Sequence, residues 1–386
     1  MNLEQGGVVR AVLDTASALA AAGLDVVVLT HDERDRPDGW KPGATGVPHV
    51  VNLGPIGGRG RRLSRDQLAT VEKLLTGDTV VHLHGAWKLA NNQIARRCRE
   101  RRVPYVLSAH GMLDDWSMSQ SRLKKRLYLL MGGSATIEGA AAVHCTADAE
   151  LAQAKRWLGS NAEAGFVAPN ITDLSAFTDL PGPGLARESF GLPDPAADAP
   201  PVVLFLSRLH YKKQPETLIR ATAVLAERGT ACVTLLAGVG DDAYTSSLRD
   251  LIQSLGLADR CRLLGMVKGS LKLSLYQAAD VFALPTSQEN FGLVYTESLA
   301  CGTPIVATKG TDIWQELQSS GAAEIADATP EAFADAIARL VSDRDALKRR
   351  GEEGRRHVFE WLEVDRTTDR YVVMYRTLLA EEGGAA

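Results

Sequence analysis

The chain has 386 residues, a formal net charge of −4 and 45% hydrophobic residues, more than a single hydrophobic core usually serves, so two domains are expected. The mild acidic balance gives no reason to propose nucleic acid as a partner, and the five cysteines (Cys98, Cys145, Cys232, Cys261, Cys301) have no CxxC spacing, which argues against a disulfide framework and a zinc site. The N-terminus lacks a basic-then-apolar signal pattern, and apolar runs such as 18–29 are too short, with Asp25 inside, to span a bilayer, so the cytoplasm is the expected compartment.

Strands and helices alternate along both halves. A helix is expected over Val9–Ala22, then strands at Val26–Thr30, Val80–His84, Tyr105–Ser108 and Ala142–Cys145, with a second helix over Leu89–Arg101. The run 179–201 is rich in Pro, Gly and Ala and reads as an interdomain connection. A second series of strands follows at Val202–Leu206, Val233–Ala237, Cys261–Leu264, Val281–Leu284 and Ile305–Ala307, and a last helix covers about 361–379. Strand-helix alternation of this kind predicts an α/β protein with parallel, doubly wound, Rossmann-like sheets.

Three segments of the second half carry chemistry. Strand Val202–Leu206 runs into Ser207-Arg208-Leu209-His210-Tyr211-Lys212-Lys213, which puts cations at a strand's carboxyl end. Such cations suit a diphosphate leaving group, because they stabilise charge that grows in the transition state, although a solvated basic turn has the same sequence. Gly238-Val239-Gly240 follows the next strand, as a ligand-approaching loop or an ordinary tight turn would. In 285–304, PTSQENFGLVYTESLACGTP, Glu289 falls in a loop at the sheet's carboxyl edge, where open α/β sheets bind ligands. A helix after Gly292 offers free N–H groups to phosphate and carries Glu297 in its second turn. Each carboxylate can accept two hydroxyl donors, the geometry of a vicinal diol.

Glu289 and Glu297, within E-N-F-G-x4-E and followed by A-C-G-T-P-I-V-A-T, resemble the E-x7-E signature of retaining glycosyltransferases of family 4, and the likeness spans nearly the whole chain. The context is also similar to that of bacterial exopolysaccharide and capsule transferases. The resemblance implies the GT-B fold: two facing doubly wound domains, here 1–180 on the acceptor side and 181–358 binding nucleotide sugar, with 359–386 as a C-terminal helix crossing back to the first. It assigns the diphosphate to Arg208 and Lys213, the nucleotide sugar also to Gly7, Gly238, Asn290, Phe291, Gly292 and Glu297, and the reacting sugar to Glu289 and His110. His110 also reads as a buried histidine capping the next segment. Asp114, Asp115 and Trp116 are candidates for an acceptor pocket.

The implied reaction moves a hexose-type sugar from a UDP- or GDP-sugar to a hydroxyl of a glycan or polyprenyl-linked glycan, with retained configuration and no metal or other cofactor. The D-x-D at Asp343-Arg344-Asp345 reads as a solvated helix face. A noncatalytic nucleotide-sugar-binding protein and a sugar-nucleotide epimerase are the alternatives. Cations at Arg59-Gly60-Arg61-Arg62, Arg96-Arg97, Arg99, Arg101-Arg102 and Lys124-Lys125-Arg126 suit either a peripheral contact with an anionic membrane or solvated helix faces.

The chain departs from the family pattern at Gly310-Thr311, where two glycines are usual, and at Asn170-Ile171-Thr172-Asp173, where N-G-x-D is usual. Family members also open with an apolar strand before the Gly-Gly loop, whereas only Met1-Asn2-Leu3-Glu4-Gln5 precedes Gly6-Gly7. The first sheet is therefore expected to lack its central strand, and the native product to carry about 10–15 further residues.

Overall fold

The computed structural model describes residues 1, 6–56, 62–161, 163–193 and 199–384. The chain forms two compact units, Met1–Asp173 with Leu362–Ala386, and Leu174–Trp361. Asn2–Gln5 and Arg59–Arg61 lie outside the described residues.

The first unit contains strands β1 (Val27–Thr30), β2 (His49–Asn52), β3 (Val81–His84), β4 (Tyr105–Ser108), β5 (Ala142–Cys145) and β6 (Gly165–Val167). All their pairings are parallel, but they form two sheets, β1-β2 and β3-β4-β5-β6, and no ladder joins these sheets among the described residues. The Met1 ammonium donates to Thr30 Oγ1 at 2.8 Å, beyond the end of the β1 apolar run. The C-terminal helix Val364–Gly384 belongs to this unit, where Tyr371, Val372, Met374, Tyr375 and Leu378 pack with Leu19, Val106, Ala142 and Ile171.

The second unit contains β7 (Val202–Leu206), β8 (Val233–Ala237), β9 (Cys261–Gly265), β10 (Val281–Ala283), β11 (Ile305–Ala307) and β12 (Ala323–Ile325). They form one parallel sheet in the order β12-β11-β10-β7-β8-β9, the topology expected of a doubly wound domain. The central strands are continuous apolar runs because helices cover both faces: Val202, Val203, Leu204, Phe205, Val281, Phe282, Ile305 and Val306 are all buried. The two units are thus α/β with Rossmann-like parallel sheets.

The passage between the units differs from the sequence expectation. The chain passes between units at Asp173–Leu174, not within 179–201. The Pro/Gly-rich run instead contributes helix Gly184–Phe190 to the second unit, where the Ala186 amide donates to Ser274 Oγ and the Gly182 amide to Gln277 Oε1. Pro183 precedes that helix and Gly191 ends it at φ 54°, so the residues that read as a linker act as helix punctuation. No helix among the described residues is long and apolar enough to cross a membrane.

Candidate functional site

In the second unit the loops after β7, β8, β10 and β11 emerge from the carboxyl ends of four adjacent parallel strands, so they share one edge of the sheet. The loop after β7 carries Arg208, exposed and without a carboxylate partner among the described residues. Tyr211–Lys213 forms a 3₁₀ turn that His210 caps by accepting the Lys212 amide at 3.2 Å. Partial burial, then the charges of Arg208, Lys212 and Lys213, hold the His210 imidazole below its ordinary pKa, consistent with a neutral accepting ring.

Lys213 is buried, and its ammonium bonds Glu289 Oε2 in the loop after β10. The Lys212 carbonyl accepts from the Ser287 amide at 2.9 Å and from the hydroxyls of Ser287 and Thr286, which fixes one loop against the other. On its other side, the Glu289 amide donates to Gly310 O and the Asp312 amide to Glu289 O, at 2.8 and 2.9 Å. Asn290 Nδ2 donates to Asp312 Oδ2. Glu289 is therefore held by loops from both neighbouring strands.

Two glycines are demanded by geometry. Gly238 has φ 146°, and a Cβ there would lie 1.8 Å from the Ser207 carbonyl oxygen, so the loop after β8 lies directly against the backbone leading to Arg208. Gly292 has φ 63°, and a Cβ there would lie 2.8 Å from Glu289 Cγ and 2.7 Å from the Tyr295 ring. The helix Leu293–Ala300 starts from it. Phe291 is buried, with its ring 5.7 Å from that of Trp361, so its side chain belongs to the core.

Glu297 lies in the second turn of that helix and is fully partnered. Lys272 Nζ bonds its Oε1 at 2.7 Å, and the Tyr276 hydroxyl donates to its Oε2 at 3.0 Å. Burial and the Glu297 carboxylate raise the Tyr276 pKa well above its usual value, so the phenol remains a donor. The sequence reading missed both partners; their i,i+4 spacing on helix Gly269–Ala278 is the signal that puts them on one face. Thr311, in place of the usual glycine, is buried and its hydroxyl bonds the Tyr295 hydroxyl at 3.0 Å, while Gly310 keeps the close approach to Ser287. Asp343 of the D-x-D accepts the Ala346 amide at the start of helix Arg344–Trp361.

In the first unit Gly7 is the exposed first residue of helix Gly7–Ala21, with Gly6 at φ 112° before it. His110 follows β4 at φ 50°, and its Nε2 lies 3.0 Å from His84 Nδ1, which also stacks on His82 at 4.4 Å. Beneath it the buried Glu150 accepts the Gly111 amide at 2.7 Å, the Thr146 amide at 2.6 Å and the Thr146 hydroxyl at 2.9 Å, tying the loops after β4 and β5 together. Asp114 is buried and caps helix Asp115–Ser119, and Asp115 pairs with Arg156, so these carboxylates have structural partners where an acceptor pocket was expected.

His82 and His144 belong to a chain of hydrogen bonds whose direction is set at one end. His144 Nε2 lies 3.0 Å from the Ala168 carbonyl, which can only accept, so the proton is on Nε2 and Nδ1 accepts from Ser108. Ser108 Oγ then accepts from His82 Nε2 at 2.6 Å, and His82 Nδ1 accepts from the Tyr375 hydroxyl at 2.6 Å. Both imidazoles are neutral in this pattern, and the chain binds the C-terminal helix to β3, β4 and β5.

Two sequence profiles cover most of the chain: "Glycosyl transferase 4-like domain" matches residues 6–170 and "Glycosyl transferases group 1" matches residues 193–357. A D-inositol 3-phosphate glycosyltransferase of Actinosynnema mirum is 31% identical over 96% of this chain and 92% of its own length. The chain belongs to the glycosyltransferases. Among solved structures, Anabaena Alr3699/HepE in complex with UDP aligns with a TM-score of 0.74 and 19% identity over 98% of both chains, and the same protein has been solved with UDP-glucose. Sucrose-phosphate synthase of Thermosynechococcus elongatus aligns at 0.72, with 23% identity over 97% of this chain and 94% of its own. These likenesses establish the GT-B glycosyltransferase fold, and the chain is an enzyme of sugar transfer.

For this glycosyltransferase the Gly292 geometry gives a direct test. Gly292→Ala must relieve a left-handed backbone and a clash with Glu289, at about 1–3 kcal/mol of stability. The expected result is a modest fall in melting temperature, with a larger fall in kcat if the sequence-derived role of Glu289 at the reacting sugar holds; loss of stability with unchanged kcat would refute that role.

Proposed function

We propose that the enzyme is a retaining transferase that moves a hexose from a nucleoside diphosphate sugar, with UDP or GDP as the nucleotide, to a hydroxyl of a glycan or lipid-linked glycan in cell-surface polysaccharide synthesis. The Lys213–Glu289 pair at the sheet edge carries this reading. When the anomeric C–O bond breaks, its electrons pass to the departing diphosphate, and Arg208 and Lys213 would balance that charge more strongly in the transition state than in the ground state. Glu289, held by two loops, would accept hydroxyls of the sugar, and Glu297 those of the ribose. Phosphate oxygen then takes the acceptor proton as the new C–O bond forms on the same face. The UDP-glucose bound by Alr3699/HepE supports a nucleotide-sugar donor.

A second acceptor class, a cyclitol phosphate, is favoured by the name of the Actinosynnema relative. Both classes are tested by incubating the enzyme with UDP-glucose, UDP-N-acetylglucosamine and GDP-mannose against polyprenyl-linked glycans and inositol phosphate, in excess EDTA. A product that keeps the donor's anomeric configuration by proton NMR, formed without metal, is expected. An inverted product, or activity that disappears with EDTA and returns with manganese, would reject the mechanism. Conversion of donor without acceptor would instead indicate an epimerase, and binding without turnover with any acceptor a noncatalytic protein.

A further inference from the structure

The stretch between β4 and β5 contains the densest group of exposed apolar side chains in the first unit. Leu123 is 82% exposed, Leu127 58%, Leu130 85% and Met131 49%, all within nine residues on the helix Arg122–Tyr128 and the turn Leu129–Gly133 that continues it. Such clustering differs from the single exposed leucines found on any protein surface.

The anchoring of this segment decides which face is free. Lys125 donates to the Ser117 carbonyl and lies 4.9 Å from the Trp87 ring centre. The Tyr128 hydroxyl donates to Asn92 Oδ1 at 2.6 Å, and Leu129 packs against the core. Residues 125, 128 and 129 recur at helical spacing and face inward, so Leu123, Leu127 and Leu130, at i, i+4 and i+7, occupy the opposite side. On the same wheel Arg122 and Arg126 flank that stripe on one side and Lys124 on the other. These three cations are exposed and have no carboxylate partner among the described residues. No Asp or Glu occurs from Trp116 to Ile137.

We propose that Arg122–Met131 is a docking surface for an anionic lipid bilayer, with the leucine stripe entering the headgroup boundary and Arg122, Lys124 and Arg126 meeting lipid phosphates. An apolar stripe bordered by cations is the pattern of helices that lie in the membrane interface. A two-fold contact between copies of the chain would bring the same cations together, which disfavours self-association as the use of this face. The surface goes beyond the assignment of the reaction, and its test needs no turnover.

The purified full chain is sedimented with vesicles of phosphatidylcholine alone or with an equal part of phosphatidylglycerol. Binding is expected only to the anionic vesicles, falling as salt is raised. Leu127→Gln with Leu130→Gln, and separately Lys124→Glu with Arg126→Glu, should each lower the bound fraction at least about tenfold. These side chains are exposed, so the melting temperature and nucleotide binding should be unchanged. Equal binding by the wild type and both variants, or none by the wild type, would overturn the proposal. Concentration-dependent self-association of the wild type in sedimentation velocity, lost in the leucine variant, would assign the face to a second copy and refute it equally.

Discussion

Lys213→Ala is expected to lower kcat/KM by about 10²–10³, or about 2.7–4 kcal/mol of transition-state stabilisation, and to weaken nucleoside diphosphate binding. The reason is local. The Lys213 ammonium is bonded to Glu289 in the structure, and a bound diphosphate would compete for it. Removing Lys213 deletes the cation and leaves the Glu289 carboxylate without its counter-charge near the proposed diphosphate position, so two unfavourable effects add. Under the proposed mechanism Glu289→Gln should behave differently: nucleotide affinity is retained while kcat falls, because Glu289 is assigned to the sugar hydroxyls. The double variant is expected to bind nucleotide more tightly than Lys213→Ala alone, since the unpaired charge is gone, and a double-mutant cycle measures that coupling. Strictly additive effects on nucleotide binding would show that the pair does not act as a unit, and unchanged turnover and affinity in both single variants would remove the diphosphate assignment.

Acidification is expected to unfold the first unit well before general acid denaturation. His82, His84 and His110 lie well below the ordinary histidine pKa, mainly through burial and secondarily through neighbouring imidazoles and, for His84 and His110, Lys88; burial likewise lowers His144 from 6.5 to about 4. Each group therefore binds fewer protons folded than unfolded. Stability from the neutral rings is complete above the unfolded pKa and is lost as pH falls through the window down to the folded pKa. For His144 alone, going from about pH 7.5 to about pH 5 costs about 2 kcal/mol. The other rings add to this in the same direction.

The hydrogen-bond chain gives the loss a structural site. A proton on His144 Nδ1 would turn an acceptor towards Ser108 into a donor and strand the serine hydroxyl hydrogen in the core. Denaturant midpoints of the full chain at several pH values, followed through a fluorescent label on the C-terminal helix, should therefore fall between about pH 7 and pH 5. His144→Gln should flatten the curve while lowering stability at neutral pH. A pH-independent midpoint in the wild type would mean that the rings are not held neutral.

Much of the fold was legible in the one-dimensional pattern. Every buried strand that the apolar runs predicted is present to within a residue or so, because a strand covered on both faces must be continuously apolar: Val202–Leu206 and Ile305–Ala307 could hardly be anything else. The three strands missed, β2, β6 and β12, all lie at sheet edges. They are short and only partly buried, so the apolar signal that reveals a central strand is weak in His49–Asn52, Gly165–Val167 and Ala323–Ile325. The 179–201 run misled for a different reason: Pro and Gly mark the ends of a helix as readily as a linker.

The chemistry followed the same division. The residue types and their place after strands singled out Glu289, Arg208, Lys213 and Gly238 as candidates, with Glu297 on the helix that follows, because a strand's carboxyl end is a position that sequence order alone assigns. Partnership was not. That Lys213 holds Glu289 across a separation of 76 residues, that Lys272 and Tyr276 hold Glu297, and that His82, Ser108 and His144 share one proton order all depend on which strands become neighbours. Strand register brings His82, Ser108 and His144 within hydrogen-bonding distance, while strand order and helix packing bring the loop and helix residues together; both are chosen by the packing of the whole unit, which no local stretch of sequence contains.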